Sequence, residues 1–194
     1  YYMNNIFILI GPTASGKSNL AMKLASEYPF EIINADLYSV YKELNIGTAK
    51  PSKEELNQYN HHLINILEPT MHYNVSQYCK DAYKCINEIL SLNKIPLITG
   101  GTMMYIYQLL NGLSHEYDVS DTDSSLIKFI QKQYSNKEIV EAISSFNPAL
   151  TDKINVNDSY RIEKLLERLI SNKNKNNNFK GLYQEKNLTI NVIF

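Results

Sequence analysis

Short apolar runs alternating with stretches of helical period set the frame of this chain. Ile6-Phe7-Ile8-Leu9-Ile10 is wholly apolar, as expected of a strand buried on both faces of a parallel sheet. Asn19 to Glu27 follows as a helix, with Leu20, Ala21, Leu24 and Ala25 on one face. Glu31-Ile32-Ile33-Asn34-Ala35-Asp36 reads as a second strand that ends in an acid, and His61-His62-Leu63-Ile64-Asn65-Ile66 as a third. Between them Pro51 and the Glu54-Glu55 pair predict a short helix starting after Lys50. Asn74 caps a helix running to about Leu92, whose stripe of Val75, Tyr78, Cys79, Ala82, Tyr83, Ile86, Ile89 and Leu90 is core packing. Ile95-Pro96-Leu97-Ile98-Thr99 is a further buried strand, with Pro96 near its start where the lost donor is tolerated. It leads through Gly100-Gly101-Thr102 into a helix from Met103 to Leu110.

After Gly112 the pattern changes. Ser114 to Asp123 is polar and aperiodic, and helices are expected at Ser125–Tyr134, Lys137–Ser145 and Asn157–Ser171, without strands. Asn172 to Lys180 is an Asn/Lys tract read as a loop. Leu188 to Phe194 is strand-like and could return to the sheet. The expected organisation is an α/β core over 1–112, an inserted helical lobe over 113–180 and a returning core strand over 181–194. The fold class is a parallel sheet flanked by helices, of the type that carries phosphate-binding loops in nucleoside triphosphatases.

The chemistry starts at Gly11-Pro12-Thr13-Ala14-Ser15-Gly16-Lys17-Ser18, which fits the pattern Gly, four residues, Gly-Lys-Ser/Thr between a strand and a helix. Gly11 and Gly16 permit backbone angles and approaches that a side chain would block. The N–H groups of the loop and the positive end of the helix converge on an anion. Lys17 adds a mobile point charge, and the Ser18 hydroxyl can hold Mg²⁺. The ligand is therefore a di- or triphosphate with magnesium; a plain glycine turn is the bland alternative. Asp36, at the carboxyl end of its strand, belongs beside this loop, since ligands of open parallel sheets sit there. A cap or turn role is its alternative, and capping is likewise the alternative for Thr102. The adjacent His61 and His62 point to opposite faces of a strand and cannot easily share a metal; they suit a polar edge of the site.

Composition narrows the partners. The chain has 194 residues, is 44% hydrophobic and carries a net charge of -1. A basic surface all over is excluded, so any nucleic-acid contact is a local patch. Cys79 and Cys85 lie in one predicted helix and suggest free thiols in a reducing compartment. No apolar run approaches the ~20 residues that span a bilayer, and Ile6–Ile10 is too short for a signal-peptide core. No membrane contact, a cytoplasmic location and a monomer are expected.

Several motifs then coincide in one order: the Gly11–Ser18 loop, Asn34-Ala35-Asp36, Val40-Tyr41-Lys42, Ile46-Gly47-Thr48-Ala49-Lys50-Pro51, His61-His62-Leu63-Ile64, Gly100-Gly101-Thr102 and Asn157-Asp158-Ser159-Tyr160-Arg161-Ile162. From about Ile6 to Glu167 the chain resembles the tRNA dimethylallyltransferases, also called tRNA isopentenyltransferases. The resemblance implies transfer of a dimethylallyl group from dimethylallyl diphosphate to N6 of an adenine beside the anticodon. The loop (Gly11, Pro12, Thr13, Ala14, Ser15, Gly16, Lys17, Ser18) would then hold a diphosphate leaving group. Lys17, with Mg²⁺ on Ser18, would neutralise the charge growing on it, and Thr13 would hydrogen-bond near the departing oxygen. Asp36 would take a proton from the attacking amine. The adenine has to leave its stack, past Leu37, Tyr38 and Ser39. Thr102, Tyr160, Arg161 and Lys164 resemble positions that contact the tRNA anticodon arm.

The resemblance has departures. Leu37 stands where the family often has serine. The two arginines are Arg161 and Arg168, and the family's arginine early in the lobe has no counterpart among Ser124, Ser125 and Lys128. Family members continue beyond the strand at Leu188–Phe194, so a fragment, a truncated product or half of a split enzyme is expected. Two other activities and one inactive alternative fit part of the pattern. Transfer to free adenine nucleotides fits the loop but leaves the helical lobe without a use. A small-molecule or nucleoside kinase leaves Ile46–Pro51 and Gly100–Thr102 unexplained. A non-catalytic remnant would fold without closing on substrate.

Overall fold

A computed structural model describes residues 4–12, 15–43, 50–113, 117–173 and 179–194. Thr13, Ala14 and the Ile46–Ala49 part of the Ile46–Pro51 motif lie outside the described residues, as does most of the Asn/Lys tract. The chain divides into two compact units, one of Tyr1–Ser114 with Phe179–Phe194, the other of His115–Asn178.

The first unit contains β1 (Asn5–Leu9), α1 (Lys17–Glu27), β2 (Phe30–Asn34), α2 (Lys53–Gln58), β3 (His61–His62), α3 (Val75–Ser91), β4 (Ile95–Thr99) and α4 (Met103–Asn111). Two-residue β5 (Tyr117–Asp118) opens the second unit, which continues with α5 (Asp121–Gln133), α6 (Asn136–Phe146), α7 (Ser159–Ile170) and β6 (Asn172–Lys173). β7 (Thr189–Ile193) returns to the first unit. Its sheet runs β3-β2-β4-β1-β7 with every pairing parallel. This is the phosphate-loop type of α/β sheet.

Residue alternation in the strands fills both faces. Ile6, Ile8, Ile33 and Ile98 meet Tyr78, Ile86, Ile106 and Leu109 from α3 and α4 on one face. Leu9, Ile32 and Leu97 meet Ala21 and Met22 from α1 on the other. Each such fully buried aliphatic side chain contributes about 1.5–3 kcal/mol relative to exposure. The apolar side of α1 is rotated from expectation: Leu20 is exposed and Met22 is buried.

The third strand is much shorter than the six residues expected. It stops at His62 because Leu63 and Asn65 take positive φ, 61° and 54°, which no extended ladder accommodates. Asn74 caps α3 through a capping box with Gln77, and Cys79 and Cys85 are free thiols. Where the chain leaves and re-enters the unit, Leu113 N–H donates to the Phe179 carbonyl at 2.9 Å.

The second unit packs α5, α6 and α7 around Ile127, Ile139, Ile162 and Leu166. It also contains an unexpected two-residue antiparallel ladder between β5 and β6. The helices α5, α6 and α7 are each capped by a side chain: Ser120, Ser135 and Asp158. Among the described residues, no helix is long and apolar enough to cross a membrane.

Candidate functional site at the carboxyl end of the sheet

The loop after β1 turns into α1 through Gly16, which sits at φ 84° and ψ 10°. That left-handed conformation costs a side-chain-bearing residue on the order of 1–2 kcal/mol. No side chain caps α1, so its first backbone N–H groups are available to an anion. The Lys17 ammonium folds over the loop, donating to the carbonyls of Gly11 (2.9 Å) and Pro12. A phosphate oxygen can replace those carbonyls as its partner. Ser18 lies in the wall of the adjoining cavity.

That cavity has a volume of about 360 Å³. Gly16, Lys17, Ser18 and Asn19 line it, as do Asp36 and Ser39. Thr99, Gly100, Gly101, Asn34 and His61 supply further polar or bare backbone surface, with Ala21, Ile32, Pro51 and Ile64 as the apolar part. The phosphate loop and Asp36, far apart in sequence, thus share one space.

Asp36 is fixed from several directions. The side chain of Asn34 accepts from Asp36 N–H at 3.2 Å and donates to the Asp36 carbonyl at 3.0 Å and the Leu63 carbonyl at 3.1 Å. Asp36 Oδ1 in turn accepts from Tyr38 N–H at 3.0 Å. The turn role therefore exists, and it aligns the carboxylate beside the cavity. Thr102 makes no capping bond. Its hydroxyl accepts from Leu37 N–H at 2.9 Å, and its own N–H donates to the Ala35 carbonyl at 3.0 Å. Of the three residues after Asp36, Leu37 packs toward the core, Tyr38 is 61% exposed and Ser39 is 3% exposed in the cavity wall.

Two further residues are brought in by contacts that span the sequence. Lys50 donates to the Tyr41 carbonyl at 2.7 Å and to Asn65 Oδ1 at 2.8 Å, tying the segment after Asp36 to the one after β3. Burial pulls its pKa down. His61 Nδ1 donates to the Tyr59 carbonyl at 2.9 Å. Burial lowers the His61 pKa despite that bond, so the neutral ring keeps Nε2 as an acceptor. Its neighbour His62 faces the other way and meets the buried Glu31 carboxylate at 2.6 Å. Among the described residues, no group of three or more His, Cys, Asp or Glu side chains could hold a metal ion; Ser18 supplies one hard oxygen.

Tyr160, Arg161 and Lys164 belong to the second unit and lie on the exposed part of α7. Arg161 Nε meets Asp158 Oδ2 at 3.3 Å. Lys164 donates to Glu167 at 2.7 Å and lies 5.7 Å from the Tyr160 ring centroid.

The IPP transferase family profile matches residues 39–194. The chain belongs to the IPP transferase family. Among its IPP transferase relatives, the tRNA dimethylallyltransferase of Coxiella burnetii is 43% identical over 165 residues, which cover 84% of this chain and 52% of that protein. The tRNA dimethylallyltransferase of Desulfotalea psychrophila is 38% identical with the same coverage of each. A solved eukaryotic dimethylallyltransferase acting on tRNA superposes with a TM-score of 0.72 at 26% identity, over 84% of this chain and 41% of that one. The chain thus spans about half the length of the curated relatives it matches.

Proposed function

We propose that this chain carries the diphosphate-binding and proton-accepting half of a tRNA dimethylallyltransferase. The substrates are dimethylallyl diphosphate and the adenine next to the anticodon. The observation that carries the reading is the shared cavity: Lys17, Ser18 and an uncapped helix N-terminus open onto the same space as Asp36, in a member of the IPP transferase family.

The adenine N6 attacks C1 of the dimethylallyl group as the C1–O bond to diphosphate breaks. Asp36, held by Asn34 and by Tyr38 N–H, takes the proton that N6 gives up. The helix N-terminus and Lys17 bind the diphosphate and stabilise its growing charge. Thr13 is assigned the hydrogen bond to the leaving oxygen. Ser18 suits Mg²⁺ as a hard oxygen donor facing the cavity. Held by Ser18, such an ion would supply positive charge to offset that of the diphosphate. Tyr38 and Ser39 line the way in for the adenine, and Tyr160, Arg161 and Lys164 meet the anticodon arm. The protein is read as a cytoplasmic monomer, with 113–180 as its tRNA-contacting lobe.

Titration calorimetry with pyrophosphate and Mg²⁺ tests the first half. The chain binds, and Lys17→Ala loses binding by at least about tenfold, the scale of one charge-assisted contact. Labelled dimethylallyl diphosphate incubated with tRNA, AMP and ATP in turn tests the second. Label enters tRNA, and Asp36→Ala stops transfer while leaving pyrophosphate binding intact. Pyrophosphate binding that survives Lys17→Ala refutes the loop assignment, and label in AMP or ATP alone refutes the acceptor.

A further inference from the structure

Thr102 stands in the family's motif as an RNA-contacting position, but its polar atoms have another use here. Its N–H donates to the carbonyl of Ala35 at 3.0 Å, and its hydroxyl oxygen accepts from the N–H of Leu37 at 2.9 Å. Those are the residues on either side of Asp36. Two residues earlier, Gly100 presses so closely on the Ala35 backbone that a Cβ there would lie 2.2 Å from its carbonyl carbon. The cavity wall runs through Thr99, Gly100 and Gly101, and Thr102 is not part of it. Ala35 N–H also donates to the Thr99 carbonyl at 2.8 Å. The segment from Thr99 to Thr102 therefore brackets Asp36 at Ala35 and at Leu37, and Thr102 hydrogen-bonds on both sides.

From this geometry we infer that Thr102 is a positioning residue for Asp36: its hydroxyl holds the Asp36–Tyr38 turn in the form that directs the carboxylate at the cavity. The inference rests on the reading of Asp36 as proton acceptor, and it deepens that reading. An RNA contact would use the proton of the Thr102 hydroxyl, which the bond from Leu37 N–H leaves available. A positioning role asks that the oxygen stay on Leu37 N–H and that losing it loosen the next amide along, Tyr38 N–H, whose partner is Asp36 Oδ1 at 3.0 Å.

Amide hydrogen exchange followed by NMR on the intact chain separates the two. In Thr102→Val, which keeps the shape and removes the acceptor, the amides of Leu37 and Tyr38 both exchange roughly five- to tenfold faster, the scale of one lost hydrogen bond. Thr102→Ser restores both rates. The amide of Ile98 in β4 keeps its rate and reports that the fold is intact; if Thr102→Val perturbs it, Thr102→Ala is read in the same way. Faster exchange at Leu37 with Tyr38 unchanged overturns the inference, because the bond would then hold nothing beyond itself. So does an unchanged Leu37. In parallel, binding of an anticodon stem-loop oligonucleotide to Thr102→Val and to the unaltered chain is measured. Weaker binding with both exchange rates unchanged makes Thr102 an RNA contact instead. Failure of the unaltered chain to bind the stem-loop counts against the functional reading, and the exchange rates still decide the role of Thr102.

Discussion

Replacing Gly100 by alanine adds one methyl group where the chain leaves the end of β4 beside the end of β2. The new Cβ would lie 2.2 Å from the carbonyl carbon of Ala35, 2.3 Å from its oxygen and 2.7 Å from its Cα. All three are backbone atoms, so no side chain can swing aside. The nearest is more than an ångström short of the 3.4 Å at which ordinary contact begins. Relief requires the two strand ends to part. Parting strains the bonds from Ala35 N–H to the Thr99 carbonyl (2.8 Å), from Thr102 N–H to the Ala35 carbonyl (3.0 Å) and from Leu37 N–H to the Thr102 hydroxyl (2.9 Å). Overpacking of this kind costs about 1–3 kcal/mol, and each weakened bond up to about 1 kcal/mol more. Against this, alanine restricts the unfolded chain and returns about 0.4–1 kcal/mol. The net expectation is a loss of about 2–4 kcal/mol, or a melting temperature lower by roughly 5–15 °C.

Gly16 provides the contrast. A Cβ there meets nothing within 4 Å, and only its φ of 84° opposes the change. Gly16→Ala therefore loses about 1 kcal/mol, from strain alone. Thermal unfolding of both variants followed by circular dichroism makes the comparison. A Gly100→Ala protein as stable as the parent, or more stable than Gly16→Ala, refutes the close approach and with it the bracketing of Asp36.

Glu31 supplies a pH-dependent prediction. Burial by itself pushes its carboxyl up, but hydrogen bonds from Lys94, His62 and Asn60 outweigh it and the net shift is downward. A lowered carboxyl pKa gives stability that is present above its unfolded value, about 4.5, and is lost as pH falls through the lower folded value. Urea unfolding at pH 7 and in steps below pH 4.5 should show the parent losing stability more steeply than Glu31→Gln; equal slopes reject the network. Tyr78 supplies the opposite case. Its ring is fully buried and stacks on Tyr105 at 4.3 Å, and its hydroxyl has no hydrogen-bond partner among the described residues. Tyr78→Phe is then neutral or stabilising by up to about 1 kcal/mol in the same assay. A loss above that range means the hydroxyl has a partner.

How much of this could be read from the chain depended on whether an element's cause was local. β1 and β4 were legible because strands buried on both faces are written as unbroken apolar runs. α3 was legible because Asn74 announces its start and its stripe keeps one period. α5 begins four residues before its expected start. Its first turn is polar, and the signal was the Ser120–Asp123 capping box rather than hydrophobic spacing. β3 was overread because nothing in Leu63-Ile64-Asn65 shows that two of these residues take positive φ. At the site, the loop and Asp36 were visible as a motif and as a strand end. Asn34 as the clamp on Asp36, Lys50 between Tyr41 and Asn65, and Thr102 on Leu37 were not visible as roles. The Asn34 clamp is a side-chain turn two residues long that no apolar pattern marks, while the Lys50–Asn65 and Thr102–Leu37 bonds join segments that only the fold brings together.

That sheet order also explains why the site tolerates both a lysine and a carboxylate without their neutralising each other. The phosphate loop follows β1 and Asp36 follows β2, and β4 lies between them. Two strand spacings are about 10 Å, too far for a direct ion pair and wide enough for a diphosphate and the carbon it leaves. Lys17 accordingly takes the carbonyls of its own loop, Gly11 and Pro12, and Asp36 is tied to Asn34 and Tyr38. In the proposed reaction, negative charge grows on the leaving group beside Lys17, while the proton departs toward Asp36 at the other end. The intervening strand keeps the carboxylate from repelling the diphosphate at short range. It also explains the glycine at position 100 in the turn that follows β4. The central strand must pass close beneath both halves of the site, and Gly100 is where it touches the Asp36 half.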